Sequence, residues 1–480
     1  MKTEQLVTRH YLVAASLLVL GALAVLEINN SAYLPGAHAD SVEYMEAGRS
    51  LALGHGLRIP IASWASPDTV APLSHFPPGP SLAIGAVIKS TGVRADVASL
   101  WVMALAAGAT LGLCFLLVGP TSGLGTGLLT ALVVALMPPF LLTHTSVWSE
   151  PLYLPLMLLT LMLMVRQPER PLWAGLAASL TVMVRYMGLA AVAAVGIWAL
   201  VKTRSVKKAV AGMAPGVLAF VAWWVWARSQ GGAVRTPGEF SVAITSTLAQ
   251  LPEMLRFWLA PGLPIVVGLV LFIGVVITHF LGRKSFVFPL GVLLGAHLLV
   301  VVVARLVVDQ RIPFDTRILL PVLVLAMLPV AAGAFRRPAA GLVVLLAWGA
   351  WAVREDLTGI HSLHVSGQYY SSAEWLTSDL VGWVDNRSGG LRLYSNEPGL
   401  MVYQSERHAR LLPLKTQNFD DFVEAWGERP GAIIVVAPQR QDEWSPDIYL
   451  ERLPVRLLLD SENAVVLVPR DGETGEGTEP

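Results

Sequence analysis

The chain has 480 residues, 54% hydrophobic and 14% charged, with Lys plus Arg and Asp plus Glu equal at 34 each. A mean hydropathy of +0.59 excludes an ordinary soluble globular protein, and the charge balance excludes the basic surface that nucleic acid requires. The one cysteine, Cys114, lies in an apolar stretch, which excludes an internal disulfide and suits packing.

Apolar windows recur along the first 353 positions, at the length a helix needs to cross roughly 30 Å of hydrocarbon at about 1.5 Å per residue. After Lys2 and Arg9 an apolar run reaches residue 28. It is longer than a signal core, and Ser31-Ala32-Tyr33 and Ala37-His38-Ala39 are weak cleavage sites, so it is read as an uncleaved first helix. Residues 29–94 form a long first loop, in which 78–91 is apolar but short and carries Pro80, Gly85 and Lys89; it is expected to lie at the interface. Further spans are expected near 96–118, 123–141, 150–165, 171–184, 187–201, 209–227, 263–281, 286–308, 316–334 and 339–353. The expected fold is therefore a polytopic α-helical membrane protein with about eleven transmembrane helices.

Basic residues in alternate loops orient these spans. Arg166 and Arg170, then Lys202, Arg204, Lys207 and Lys208, then Arg283 and Lys284, then Arg336 and Arg337 all fall on the side of Lys2 and Arg9, which is the cytoplasmic side. The opposite, extracytoplasmic face receives the 29–94 loop, residues 142–149, the Arg185-Tyr186 turn, the 228–262 loop, the 309–315 loop and the C-terminal part of the chain. The N-terminus is expected in the cytoplasm and the C-terminus outside, across a plasma (inner) membrane. Leu255, Phe257 and Trp258, and likewise Trp223, Trp224 and Trp226, are read as interfacial aromatics.

From Arg354 the composition becomes that of a soluble domain. An amphipathic stretch near 371–385 and short apolar runs at 391–395, 432–437 and 464–468 predict one helix and several strands, hence a small mixed α/β extracytoplasmic domain over 354–470. Residues 471–480, rich in Gly, Glu and Thr, read as a disordered tail, and Asn386-Arg387-Ser388 is a sequon by spelling alone. The transmembrane catalytic domain is expected over 1–353.

Two acids stand out at the outer face. Asp40 lies just past the first span, on a predicted surface helix over 40–53 in which Asp40, Tyr44, Ala47 and Leu51 share one face. Asp40 with Glu43 also reads as a helix cap with a capping box, so both a local and a catalytic explanation stand. Glu150 opens a later span in Ser149-Glu150-Pro151, where a cap residue, an acid at the positive helix end and a proline in the first turn explain it locally. The local account leaves open why further ionisable groups, Arg185, Asp315 and Arg317, gather at the same boundary. Arg185 alone reads as a solvated turn, and Arg317 as a snorkelling side chain.

Together these segments carry a resemblance. Asp40-Ser41 with Tyr44, Gly48, Leu51-Ala52, Gly54 and Gly56, followed by Pro77-Pro78-Gly79-Pro80, resembles the first outer loop of the GT-C membrane glycosyltransferases, a group that includes the protein mannosyltransferases and the aminoarabinose transferase of lipid A. Ser149-Glu150-Pro151-Leu152-Tyr153 is similar to the second acidic site of that family, Arg185-Tyr186-Met187-Gly188 to its arginine-containing turn, and Arg317-Ile318-Leu319-Leu320-Pro321 to its late Arg-x-x-x-Pro helix start. The chain departs from it at Tyr186, where many members have proline, at Ile318, where an aromatic is common, and at Asp40, which has no adjacent acid; the last weighs against a protein acceptor.

The resemblance implies a sugar donor linked through phosphate to a polyprenyl chain in the membrane lipid, and an inverting attack by an acceptor hydroxyl of a glycan, lipid or protein. It implies Asp40 as the base. Glu150 is left with alternatives: it orients the acceptor or the sugar, or shares a divalent cation with Asp40. Arg185, Arg317 and His75 are the candidates for the phosphate, Arg being favoured by its planar fork, and Tyr44 is a further substrate contact. A transporter or flippase of lipid-linked sugars is the alternative; it ranks lower because the acids sit at one mouth and no duplicated halves are visible.

Overall fold

The computed structural model describes residues 2–31, 33, 35–231, 287–308, 316–334, 338–386, 388–440 and 442–470. The expected span at 263–281, the outer loop from 232 with Leu255, Phe257 and Trp258, and the 309–315 loop with Asp315 lie outside the described residues. So do Arg283, Lys284, Arg336, Arg337, the sequon's Arg387 and the 471–480 tail. The chain divides into two compact units. The first comprises Met1–Asn30, Ser74–Ala83 and Val97–His361, and the second Ser31–Leu73, Ile84–Asp96 and Ser362–Pro480.

The first unit is helical. It contains α1 (Lys2–Ile28), most of α4 (Ala95–Ser122), α5 (Leu124–Ala135), α6 (Pro138–His144), α7 (Glu150–Arg166), α8 (Pro171–Val184), α9 (Leu189–Thr203) and α10 (Val206–Ser229), then helices Val287–Val303 and Thr316–Ala334 and most of Pro338–Ser366. Among the described residues five helices are long and apolar enough to span a membrane, or six if a bent pair is one span, so the chain is a polytopic membrane protein.

Where observed helices depart from the expected spans, the cause is local. The expected span at 123–141 is broken: α5 and α6 meet at 65°, because Pro138 and Pro139 start a new helix and Met137 before them is extended at φ −78° and ψ 119°. The last helix was expected to end near 353 but continues to Ser366, since Arg354, Glu355 and Asp356 change its polarity without breaking its hydrogen bonding. It stops at Gly367, whose φ of +66° suits a residue without Cβ. The short stretch expected at 78–91 is α3 (Gly79–Thr91), 13 residues against the roughly 20 that a span needs. Trp223, read as interfacial, is 7% exposed and stacks on Trp226 at 4.6 Å, whereas Trp224 is 47% exposed.

The second unit contains α2 (Ala39–Ala52), β1 (Arg58–Ile59), β2 (Ile61–Ser63) and β3 (Ala71–Pro72) from the first loop, and β4 (Arg392–Ser395), β5 (Ala409–Leu411), β6 (Gly431–Val436), β7 (Val455–Asp460) and β8 (Ala464–Pro469) from the C-terminal part. Six strands form one sheet in the order β2-β5-β4-β6-β8-β7, parallel from β2 to β6 and antiparallel beyond. The wholly apolar β6, Gly-Ala-Ile-Ile-Val-Val, is buried along its full length, as a parallel central strand requires. Its core includes Phe422 and Trp426 of helix Phe419–Glu428 and Tyr449.

The first-loop strand β2 is a full member of this sheet, with Ala62 opposite Arg410 and Ser63 opposite Leu411. Arg410, 4% exposed, donates to the carbonyls of Ser66 and Pro67, and Arg429 Nη1 reaches Ser66 O at 3.2 Å. Trp64 donates to Gln417 Oε1 at 3.1 Å and meets the Phe422 ring edge-on at 5.7 Å. These contacts tie the start of the chain's first loop to its last domain.

Candidate active site

In the first unit the structure gathers three of the candidate residues. Glu150 is the first residue of α7 and is 1% exposed. Its Oε1 receives Arg185 Nη1 in a close ion pair and lies 3.2 Å from Arg317 Nε. Pro151 in the first turn fixes where α7 begins. Arg185 is set by the break after α8: it is extended at φ −151° and ψ 144°, and a 3-10 turn over Tyr186–Gly188 follows. Trp223 Nε1 donates to Tyr186 Oη at 3.1 Å and steadies that turn. Arg317 lies in the first turn of helix Thr316–Ala334, and its guanidinium rests on the Trp148 ring, 4.8 Å from the centroid.

Ser149 was expected to cap α7, but it makes no side-chain cap. Its hydroxyl accepts from Arg185 Nη1 at 3.1 Å and donates to Glu150 Oε2 at 3.3 Å, so it belongs to the charged cluster. Farther along α7, Tyr153 Oη is 3.0 Å from His297 Nδ1, both side chains being buried. Ser149, Trp148 and His297 were not singled out as site residues from sequence. The only available signal was the adjacency of Trp148 and Ser149 to Glu150, and a histidine inside an otherwise apolar helix.

One carboxylate thus meets two guanidiniums. A buried carboxylate is tolerated when paired and hydrogen-bonded, as here, and it holds the two planar forks in place before any ligand arrives. Such a cluster is suited to a phosphate oxygen. His75 is half-buried in the first unit, with its ring edge-on to Phe76 at 4.7 Å.

In the second unit Asp40 occupies the first turn of α2, with Tyr44 one turn on and 2% exposed. The expected cap, Asp40 with Glu43, is not the observed one. The helix starts one residue earlier; His38 is the capping position, and Ser41 Oγ accepts from the His38 amide at 2.9 Å. Neither carboxylate is consumed as a cap, which removes half of the local explanation for Asp40; its place near the positive helix end remains. His38 Nδ1 lies 3.9 Å from Asp40 Oδ1, and its ring stacks on Tyr370 at 5.9 Å and meets Tyr369 edge-on at 4.9 Å. Tyr370 donates to Glu397, which also receives Arg440 Nη2 at 2.8 Å. Burial, then the charge of Glu397, raises the Tyr370 hydroxyl well above the ordinary range, so it stays a proton donor.

Glu43, half-buried one turn along α2, was treated in sequence only as part of a cap. Burial first, and then the negative charge of Asp40, pushes its carboxyl up to about 8. Glu43 therefore holds a proton near neutral pH. Among the described residues no group of three or more His, Cys, Asp and Glu is gathered as for a metal ion, and Glu150 is already engaged by two cations.

Neither a family model nor a curated protein matches the chain by sequence. Solved structures do match by fold. ArnT from Cupriavidus metallidurans bound to undecaprenyl phosphate aligns with a TM-score of 0.61 at 12% identity, covering 96% of this chain and 99% of that one. Its apo form aligns at 0.58 and 14% identity with the same coverage. The archaeal oligosaccharyltransferase AglB from Archaeoglobus fulgidus, in complex with an inhibitory peptide and a dolichol-phosphate, aligns at 0.53 and 11% identity, covering 88% of this chain and 69% of that one. The chain therefore has the fold of the GT-C membrane glycosyltransferases, the fold that its sequence motifs resemble.

Proposed function

We propose that the protein is a glycosyltransferase that moves a sugar from a polyprenyl-phosphate-linked donor to an acceptor hydroxyl on the extracytoplasmic face. The observation that carries this reading is the cluster in which buried Glu150 meets the half-buried Arg185 and Arg317, at the start of a helix in a GT-C fold. Support comes also from the similar structures that hold undecaprenyl phosphate and a dolichol-phosphate. The loop charges support the orientation.

In this reading Asp40, as carboxylate, takes the proton of the acceptor hydroxyl. The oxygen forms a bond to the anomeric carbon, and the bond from that carbon to the phosphate oxygen breaks, its electron pair leaving with polyprenyl phosphate. Direct attack from the opposite side inverts the sugar configuration. The leaving phosphate is already acidic and needs no proton donor; it needs cations, and Arg185 and Arg317 supply them. Glu150 acts by holding both arginines. His75 and Tyr44 are the further proposed substrate contacts.

The test is a panel of labelled polyprenyl-phosphate sugars incubated with purified protein and candidate hydroxyl acceptors, following polyprenyl phosphate release. Wild type should release it with at least one donor and Asp40→Asn should not. Release at equal rates from wild type and D40N would contradict the assignment of the base, and no release from either, with vesicle uptake of the donor instead, would favour transport.

A further inference from the structure

The second unit holds a cavity that this chemistry does not use. It measures about 550 Å³ and is lined by Glu46 and Arg49 from the second half of α2, by His55 and Arg58 from the turn into β1, by Ile59, and by His408 just before β5. The turn is made by Gly54 and Gly56, whose φ values of +85° and +79° are open to glycine and strained for other residues; nothing crowds either position, so backbone conformation alone asks for glycine there. With that reversal Arg58 and His55 come back to face the helix that carries Arg49.

The charge in this cavity is one-sided. Arg49 and Arg58 are permanent cations, and Glu46 is the only acid among the lining residues. Glu46 holds Arg49 through Nη2 at 2.6 Å and Nε at 3.0 Å, which leaves Arg58 without a carboxylate among the lining side chains and one positive charge in excess when both histidines are neutral. The volume falls in the range of small-molecule sites, about 300–1,000 Å³. Two arginine forks with two imidazole rings are donors matched to a tetrahedral oxyanion. Asp40 and Arg49 are nine positions apart on one helix, about 14 Å at 1.5 Å per residue, so the cavity is a place distinct from the proposed base.

We infer that this cavity is a binding subsite for a phosphate monoester or diester, held by Arg49 and Arg58 and carried either by a soluble saccharide or by a phospholipid headgroup. Its description as part of acceptor recognition rests on the proposed transferase activity; its affinity for phosphate does not.

Full-length protein in nanodiscs of phosphatidylcholine, titrated calorimetrically with glucose 1-phosphate and with glucose, tests it. Glucose 1-phosphate should bind at least tenfold more tightly than glucose. The double variant Arg49→Gln/Arg58→Gln should lose at least tenfold, and Glu46→Gln, which frees Arg49 from its carboxylate, should gain severalfold. A gain cannot come from misfolding, so that variant keeps the test decisive. Repeating the titration in phosphate-free maltoside micelles and in discs containing phosphatidylglycerol identifies the source: binding of the sugar phosphate that is weaker in the discs than in the micelles means that the headgroup occupies the cavity, and equal binding means that a soluble phosphate does. Equal affinity for glucose and its phosphate, no response to E46Q and the double variant, or no binding of the sugar phosphate in discs or micelles would overturn the inference. Asp40→Asn should bind the probe within twofold of wild type, so loss of transferase turnover and loss of this subsite are read separately.

Discussion

The acids at the start of α7 and at the start of α2 are set in opposite electrostatic surroundings. Glu150 is buried and engaged by two guanidiniums and a serine hydroxyl, so its charge is spent on holding cations. Asp40 has an imidazole 3.9 Å away and a second acid, Glu43, one turn along the same helix. The first arrangement sets a carboxylate between two cations; the second sets one beside an imidazole and another acid. Two acids that look alike in sequence thus stand in different surroundings, and the proposed division of roles between them follows from those surroundings.

Substitutions that exchange or erase these surroundings sharpen the contrast. Asp40→Asn removes the proposed base while keeping shape, and initial rates of polyprenyl phosphate release should fall about 10³-fold, within the range for general-base catalysis. Arg185→Ala or Arg317→Ala should each lower kcat/KM about 10²-fold, with Arg317→Lys recovering only part because one ammonium does not replace the fork. Glu150→Gln leaves two half-buried guanidiniums without their carboxylate and should destabilise the first unit by about 3 kcal/mol, seen as a lower Tm in detergent. An unchanged Tm would mean that Glu150 does not hold the arginines as described.

The smallest effect is expected at Glu43. Its carboxyl sits at about 8 in the folded protein against 4.5 unperturbed, so between these values the unfolded chain has released a proton that the folded chain retains. Its contribution to stability is complete below about 4.5, declines as pH rises toward 8, and is level above. Glu43→Gln should flatten that part of a Tm-against-pH curve, and an identical slope in both proteins would show that Glu43 titrates normally.

Much of the helical part was legible because its boundaries carry local marks. Pro171 opens α8 and Arg185 follows its end, which is why the apolar run 171–184 and the helix coincide. The strands β4, β6 and β8 lie on the apolar runs at 391–395, 432–437 and 464–468. What sequence did not disclose was long-range pairing: β2 has three residues, and its partner β5 is more than three hundred positions away, so no local period announces it. At the site, the identities of Glu150, Arg185 and Arg317 were readable, but each had an adequate local explanation. Their mutual contact, and the recruitment of Ser149 and Trp148, depend on tertiary packing. The cap of α2 was misread because aspartate and glutamate fit the capping pattern as well as His38 and Ser41, and backbone geometry decided between them.

The central claim is that phosphate is held by Arg185 and Arg317 and the proton is taken by Asp40. The most direct measurement is the affinity of the protein in nanodiscs for undecaprenyl phosphate, compared across wild type, D40N and the double variant Arg185→Ala/Arg317→Ala. The account predicts D40N within twofold of wild type and the double variant weakened at least tenfold; a double variant that binds as wild type does, or a D40N protein that loses affinity as much as the arginine variant, would contradict it.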